Sequence, residues 1–223
     1  MGTLRKYKLN TADCDIFFET GTGLGYSLRH ALENANFNQL FSTEIHENTA
    51  KRAQNLFKKN PKVTVLNTNS VTGLNKVLPT IDKNKRILFY LDAHFPGEVS
   101  SSHSYDANVP NNLTMPLKEE LELIRKLRPN SNDIIIVDDL RLYEDGPYES
   151  GNIPSNYANI NQEIRDLSFL NSIYGDRAIE RDYKDEGYLI IKPQGSLFSL
   201  KRLSQIYRLR RSLRRNFSRL ISK

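Results

Sequence analysis

Short apolar runs alternate along the first 192 residues with stretches whose apolar side chains recur every three or four positions. Continuous runs of four to eight apolar residues are typical of buried strands, and the wider spacing is typical of amphipathic helices. Strands are predicted around residues 16–18, 38–45, 63–66, 87–91, 134–137, 178–183 and 187–192. Helices are predicted over residues 27–34, 46–57, 71–78, 116–127 and 160–170. Strands that alternate with helices indicate an α/β fold with a mainly parallel sheet.

The turn after the first apolar run contains glycine at three alternate positions, Gly21, Gly23 and Gly25. Glycine allows positive φ angles and lets a flat ligand approach the backbone closely. A dinucleotide turn has the spacing Gly-x-Gly-x-x-Gly, whereas this chain has Glu-x-Gly-x-Gly-x-Gly. The carboxylate of Glu19 suits the ammonium of a methionine group better than a pyrophosphate. The turn therefore favours S-adenosylmethionine over a dinucleotide, with a plain connecting turn as the alternative.

Charged side chains stand where three later strands end. Glu44 follows the glycines by about twenty residues, where α/β nucleotide folds place a carboxylate on the ribose hydroxyls. Asp92 and His94 follow the fourth strand, and Asp138 and Asp139 follow the fifth. Ligands of open parallel sheets bind outside the carboxyl ends of the strands, so these side chains are expected to share one site. The alternatives are a solvated strand-end charge for Glu44 and a structural histidine for His94.

The aspartates after the fourth and fifth strands predict a metal. Three carboxylates at one edge repel each other unless they are protonated or neutralised, which favours a hard divalent cation with oxygen ligands. Asp92, Asp138 and Asp139 are the predicted ligands, and His94 is the predicted base because histidine titrates near neutral pH. In the alternative interpretation, one of the last two aspartates caps a loop and binds Arg141.

Residues Glu19 to Gly25 resemble the first motif of the class I S-adenosylmethionine-dependent methyltransferases, and the resemblance extends over residues 13–192. It implies a Rossmann-like, seven-stranded, mostly parallel sheet with helices on both faces and an antiparallel last strand. The residues implied to contact the methyl donor are Glu19, Thr20, Gly21, Thr22, Gly23, Gly25, Ser27, Glu44, Asn69, Ser70 and Asp92. Asn69 and Ser70 would lie at the adenine, although they would equally serve as a helix cap.

The aspartates after the fourth and fifth strands also resemble the ligand set of metal-dependent O-methyltransferases of the catechol and sugar types. Those enzymes use Mg²⁺ to hold and acidify the accepting hydroxyl. The surrounding residues resemble a bacterial group associated with surface glycans, although residues 93–97 differ from the catechol-type sequence. The implied reaction is O-methylation of a sugar or another small molecule, with His94 and Asp92 as catalytic residues and S-adenosylmethionine and Mg²⁺ as cofactors.

The net charge of +6 is concentrated at the C-terminus. Residues 201–223 contain nine Lys and Arg and no acid, so the other 200 residues hold 23 basic and 26 acidic side chains, a net charge of −3. We predict a methyltransferase domain at 1–195 and a basic amphipathic helix at 196–223. The helix would lie on an anionic membrane surface, bind nucleic acid, or pack on the domain or a second copy.

The remaining features indicate a cytoplasmic protein, peripheral at most on the inner membrane face. Cys14 is the single cysteine, the N-terminus lacks a signal-peptide pattern, and the apolar runs are too short to span a bilayer. Two polar loops, residues 98–114 with the second base candidate His103 and residues 143–157, are expected to border the acceptor. Two other classes remain as alternatives, a dinucleotide-dependent oxidoreductase and a nucleic-acid-directed methyltransferase or binding protein.

Overall fold

The computed structural model describes residues 4–9, 12–94, 115–153 and 165–204. Its strands are β1 Ile16–Thr20, β2 Gln39–Glu44, β3 Val63–Asn67, β4 Ile87–Leu91, β5 Ile134–Val137, β6 Ala178–Asp182 and β7 Tyr188–Lys192. Its helices are α1 Tyr26–Asn34, α2 Glu47–Phe57, α3 Ser70–Val77, α4 Leu117–Leu127 and α5 Phe169–Tyr174. Single 3₁₀ turns cover Leu4–Lys6, Leu78–Thr80 and Leu140–Leu142.

The strands form one sheet of seven in the order β3-β2-β1-β4-β5-β7-β6. The first five strands pair in parallel, while β7 is antiparallel to both β5 and β6. Ile136 of β5, for example, lies opposite Ile190 of β7. The seven-stranded, mostly parallel sheet with an antiparallel β7 confirms the predicted fold class.

Each face of the sheet carries its own hydrophobic core. Phe18 and Phe89 belong to the core formed with α3, α4 and α5, whereas Phe17 and Tyr90 belong to the core formed with α1 and α2. Neighbouring residues of a strand point to opposite faces, so a strand covered on both sides is apolar at every position. This is why β4 is apolar throughout and β1 begins with the apolar residues 16–18, whereas the polar site lies where these strands end.

The helix predicted over residues 160–170 is confirmed at residues 169–170 and is wrong at residues 165–168. Residues 160–164 lie outside the described ranges, and the helix begins only at Phe169. The carboxylate of Asp166 accepts hydrogen bonds from the backbone N–H and the hydroxyl of Ser168, at 2.7 and 2.9 Å. Such a local side-chain bond competes with helix formation and favours a turn before the helix.

The two ends of the described chain pair with each other. Tyr7 and Arg202 form an antiparallel bridge, and the backbone N–H of Lys8 donates to the carbonyl of Lys201 at 2.9 Å. We call residues 6–8 and 201–203 the terminal clasp. Phe198 and Leu200 are buried beside it. The helix predicted from residue 196 is therefore absent from residues 196–204, which are not helical, and residues 205–223 lie outside the described ranges.

Over the described residues, none of the helices is long and apolar enough to cross a membrane.

Candidate functional site

The glycine turn between β1 and α1 is clamped between the ends of β2 and β4. Gly21, Gly23 and Gly25 all have positive φ, at 80°, 49° and 71°. A Cβ at Gly21 would lie 2.5 Å from the carbonyl oxygen of Asp92. On the other side, the N–H of Gly21 donates to the carbonyl of Thr43 at 3.0 Å. Only glycine fits Gly21, because the backbone is left-handed and the neighbouring strand end leaves no room for a side chain.

Gly23 occupies the open side of the same turn. A Cβ at Gly23 would meet no atom of the described structure within 4 Å. Leu24 is the next residue, and Ile45 follows Glu44, which accepts the N–H of Gly23; Leu24 and Ile45 expose 43% and 39% of their surface although both are apolar. The turn thus offers a bare backbone together with exposed apolar side chains, which suits a flat ligand.

Glu19 lies beneath the turn and not on its surface. The side chain is fully buried, and its two oxygens accept hydrogen bonds from the hydroxyls of Ser27 and Ser42, the latter at 2.7 Å. Burial raises the pKa of Glu19 to about 8, and the two serine hydroxyls offset only part of that rise. Glu19 therefore braces the turn from below, and its contact with a methionine ammonium stays a prediction.

The two threonines of the turn tie it to the same strand ends. The hydroxyl of Thr20 accepts the backbone N–H of Asp92 at 3.2 Å. The hydroxyl of Thr22 lies 2.6 Å from that of Ser42 and donates to the carbonyl of Thr43 at 3.1 Å. Both threonine hydroxyls are thus engaged inside the protein, and Ser27 is engaged with the buried carboxylate below.

Glu44 borders the turn from the end of β2. It is 6% exposed, and its Oε2 accepts the N–H of Gly23 while its Oε1 accepts the N–H of His46, both at 2.9 Å. A carboxylate oxygen has more than one lone pair, so each oxygen can still accept a ligand hydroxyl. The structure places Glu44 where the ribose contact was predicted, and the contact itself stays a prediction.

Asn69 and Ser70 open α3 at the end of β3. Asn69 Oδ1 accepts the N–H of Thr72 at 2.8 Å, so Asn69 is the helix cap that the alternative interpretation gave. Ser70 is 5% exposed. Their contact with an adenine stays a prediction.

Asp92, His94 and Asp139 meet at the ends of β4 and β5. His94 Nε2 lies 3.0 Å from Asp139 Oδ2 and 3.7 Å from Asp92 Oδ1. The histidine side chain is only 6% exposed. Asp139 reaches it from a left-handed backbone with φ 48°, a conformation that aspartate tolerates better than most residues. The two strand ends therefore bring these predicted residues together.

The pKa values in this cluster shift in different directions, depending on whether a side chain has a hydrogen-bond partner of opposite charge. Burial lowers the pKa of His94, but the hydrogen bond to Asp139 and the surrounding carboxylates outweigh it, so that the pKa is raised. Burial would raise the pKa of Asp139, but the hydrogen bond and charge of His94 hold it below its usual range. For Asp92, burial and then the charges of Asp138 and Asp139 raise the pKa far above its usual range. These directions favour a charge-assisted hydrogen bond between His94 and Asp139 and disfavour ionisation of Asp92.

Asp138 turns to a partner inside the protein. It is 2% exposed, and its Oδ2 accepts the hydroxyl of Tyr90. Its Oδ1 is buried and has no hydrogen-bond partner among the described residues. Burial and the charge of Asp139 raise the pKa of Asp138 to about 7.

The described side chains do not fit the predicted Mg²⁺ site. Among the residues that the structure describes, no group of three His, Cys, Asp or Glu could hold a metal ion. One oxygen of each of two carboxylates already has a protein partner, since Asp139 Oδ2 pairs with His94 and Asp138 Oδ2 accepts the hydroxyl of Tyr90. The ligand set Asp92, Asp138 and Asp139 is therefore not assembled as predicted.

Two residues of the site, Tyr90 and Glu120, were missed from the sequence, and Tyr143 was expected only as part of the second loop. Tyr143 packs edge-on against His94 with ring centroids 6.5 Å apart. Tyr90 and Glu120 are both buried beside the acidic cluster. Glu120 had a detectable signal, because it lies three residues after Leu117 within the apolar stripe of α4. Tyr90 had none, because a tyrosine inside an apolar strand is usually a core residue.

Other predicted features fall where the structure gives no description. The lid loop at residues 98–114 with His103, and residues 154–157 of the second loop, lie outside the described ranges. The described part of the second loop, residues 143–153, packs against the turn between β6 and β7 through Tyr148 and Tyr183, whose ring centroids are 5.3 Å apart.

Comparison with known proteins relates the chain to others by structure. No protein-family model matches the sequence, and no curated protein matches it. A methyltransferase from Podospora anserina, solved with S-adenosylhomocysteine bound, has a TM-score of 0.56 and 14% identity over 81% of this chain and 72% of that one. A Staphylococcus aureus protein named as a candidate caffeoyl-CoA O-methyltransferase has a TM-score of 0.55 and 15% identity over 81% and 77%.

A Corynebacterium glutamicum protein gives a similar match, with a TM-score of 0.53 and 12% identity over 85% of this chain and 79% of that one. The chain has a methyltransferase fold. At these identities the likeness concerns the fold alone, so that the activity has to be argued from the site. On the methyltransferase fold, the glycine turn and the acidic cluster lie side by side at the carboxyl edge of the parallel strands, where open α/β sheets bind ligands.

Proposed function

We propose that the chain is an S-adenosylmethionine-dependent methyltransferase that acts on a hydroxyl group. The observation that carries the proposal is the contact between the glycine turn and the end of β4. A Cβ at Gly21 would lie 2.5 Å from the carbonyl of Asp92, the same residue whose carboxyl lies 3.7 Å from His94. A ligand on the turn is thereby adjacent to a base candidate.

The donor would lie along the ends of β1 and β2. The bare backbone at Gly23 leaves room for it, Glu44 would accept the ribose hydroxyls, and Ser70 would border the base. When bound, S-adenosylmethionine supplies an electrophilic methyl group. The contribution of the turn is positional, since holding two reactants in line is worth a large part of a transfer barrier.

Above its raised pKa, where the imidazole is neutral, His94 would take the proton of the accepting hydroxyl. Its Nε2 lies between the oxygens of Asp139 and Asp92, at 3.0 and 3.7 Å, so an imidazolium formed there is stabilised at once. Tyr143 packs against the ring and limits its rotation.

The acceptor is proposed to be a sugar or another small molecule, including a glycan unit. The test is a screen with radiolabelled S-adenosylmethionine against sugars and phenols, preceded by calorimetric titration with S-adenosylhomocysteine. His94→Gln is expected to lose at least about 100-fold in turnover with product binding nearly intact, because a positioned base contributes about 100- to 10,000-fold. Glu47→Gln, on the exposed face of α2, is the matched control.

Several outcomes of that screen count against the proposal. Binding of NAD in the same calorimetric titration, without any binding of S-adenosylhomocysteine, would favour the oxidoreductase alternative. A fully active His94→Gln variant would remove the assigned base. Mg²⁺ assistance is tested in the same screen, where activity that persists unchanged in EDTA contradicts it.

We also propose that the terminal clasp and the chain that follows it bind an anionic membrane surface, with the protein on the cytoplasmic side. Lys8 and Lys201 are exposed and joined backbone to backbone, and residues 201–223 contain no acid. Apolar residues spaced three or four apart among arginines suit a lipid interface, whereas nucleic acid gives no reason for an apolar stripe.

Cosedimentation with vesicles tests the membrane proposal. Phosphatidylserine vesicles are expected to bind the full chain and to lose it when the chain is cut after Ser204, while neutral vesicles bind neither form. Salt-sensitive RNA or DNA binding without vesicle binding would point to the nucleic-acid alternative. Concentration-dependent self-association lost on the same cut would point to packing between copies.

A further inference from the structure

Glu120 is a buried acid with an unused acceptor. It lies in the first turn of α4, on the apolar side of the helix, and is 2% exposed. Its Oε1 is buried and finds no hydrogen-bond partner within the described part of the chain. Buried polar atoms are almost always paired, so an unpaired one beside a candidate ligand site is an acceptor that a bound ligand can satisfy.

The neighbours of Glu120 place it at the donor half of the site. The hydroxyls of Ser70 and Thr20 lie close enough to lower its pKa, and the charge of His94 does so from further along the edge. Burial outweighs these effects and raises the pKa to about 7. Thr20 ends β1 at the glycine turn, which the proposed donor would contact. Ser70 begins α3, where the adenine of the donor would lie.

The adenine of the proposed donor needs a hydrogen-bond acceptor, and the side-chain oxygen of Asn69 is already occupied. Asn69 Oδ1 is already engaged by the N–H of Thr72 at 2.8 Å. An exocyclic amino group carries two N–H donors and seeks an acceptor oxygen. Of the side chains around Ser70, Glu120 has the oxygen without a partner in the described structure.

We infer that Glu120 accepts a hydrogen bond from the exocyclic amino group of the adenine in the methyl donor, and so selects adenine over bases with a carbonyl at that position. This inference rests on the proposed function. It adds a specificity residue on α4 to the contacts expected from the strand ends.

The experiment compares two ligands on one protein. S-adenosylhomocysteine carries the amino group, whereas S-inosylhomocysteine carries a carbonyl oxygen in its place. The wild type is expected to prefer the adenosyl ligand by about 10- to 100-fold in calorimetry, the range for a hydrogen bond to a charged group. Glu120→Gln presents an amide that can donate to the carbonyl, so the preference should fall at least about 10-fold or reverse.

Glu122→Gln is the matched control, because Glu122 lies on the exposed side of the same helix and should keep the wild-type ratio. The ratio of two affinities on one sample is unaffected by a partly unfolded fraction. If Glu120→Gln does not fold, Glu120→Asp withdraws the carboxylate by one methylene and should lower the preference several-fold.

An unchanged ratio in the Glu120 variants overturns this inference and leaves the methyltransferase proposal standing. A wild type that binds neither ligand overturns the proposed function and this inference with it.

Discussion

Replacing Gly21 by alanine should destabilise the protein much more than the same change at Gly23. Both glycines have left-handed backbones, with φ of 80° and 49°. A left-handed conformation costs alanine about 1–2 kcal/mol relative to glycine. At Gly21 the new methyl group would also lie 2.5 Å from the carbonyl oxygen of Asp92, whereas at Gly23 it would meet no described atom within 4 Å. Overpacking of this kind adds about 1–3 kcal/mol.

The expected losses are therefore about 1–2 kcal/mol for Gly23→Ala and about 2–5 kcal/mol for Gly21→Ala. Urea denaturation of the two variants and the wild type measures both, provided that the m value is unchanged. Gly23→Ala serves as the control for backbone strain, so the difference between the variants isolates the clash with β4. Equal losses would refute the claim that the turn and the end of β4 are in close contact.

Three further predictions concern buried charges. Arg128 and Asp133 form a salt bridge with both side chains 2% exposed, so Arg128→Met should lower the free energy of unfolding by about 3–5 kcal/mol in urea, and a loss below about 1 would contradict this. The pKa of Glu19, about 8 against the usual 4.5, means that the folded state binds the extra proton; stability should fall as pH rises from about 4.5 to about 8, by up to about 1.4 kcal/mol per pH unit. Glu19→Gln should remove this slope from the pH dependence of thermal unfolding, and an unchanged slope would show that Glu19 is ionised throughout. Tyr90→Phe removes the donor to Asp138 and should destabilise by about 1–3 kcal/mol in urea, with wild-type stability as the contrary result.

The strands could be predicted because a strand buried on both faces is a continuous run of apolar residues in the sequence. Residues 87–91 and 134–137 are apolar throughout and match β4 and β5 at both ends. Helix α4 was equally clear, since its apolar residues recur at helical spacing. The prediction of a helix at residues 165–168 was wrong because Ser168 donates two local hydrogen bonds to the carboxylate of Asp166, which favour a turn there. The spacing of apolar residues does not reveal local hydrogen bonds of this kind.

The sequence predicted which side chains lie together at the edge of the sheet, but it did not predict their hydrogen-bond partners. That Asp92, His94 and Asp139 meet follows from the rule that parallel strands end at one edge. The direction of each carboxylate does not follow from it. Asp138 binds Tyr90, a residue 48 positions away in the chain, and Glu19 turns inward to Ser27 and Ser42. These pairings depend on tertiary packing, which residue spacing alone cannot specify.

The edge of the sheet holds more acids than it can keep ionised together. Burial raises the pKa of Glu19 to about 8 and that of Asp138 to about 7, and burial together with the acidic neighbours raises the pKa of Asp92. Asp139 keeps its charge because His94 lies 3.0 Å away. A cationic ligand at this edge would be stabilised by carboxylates that lose their protons as it binds, whereas a neutral product would not. The sulfur of a sulfonium donor is positive before methyl transfer and neutral after it. The acidic side chains at this edge would therefore bind the reactant more tightly than the product.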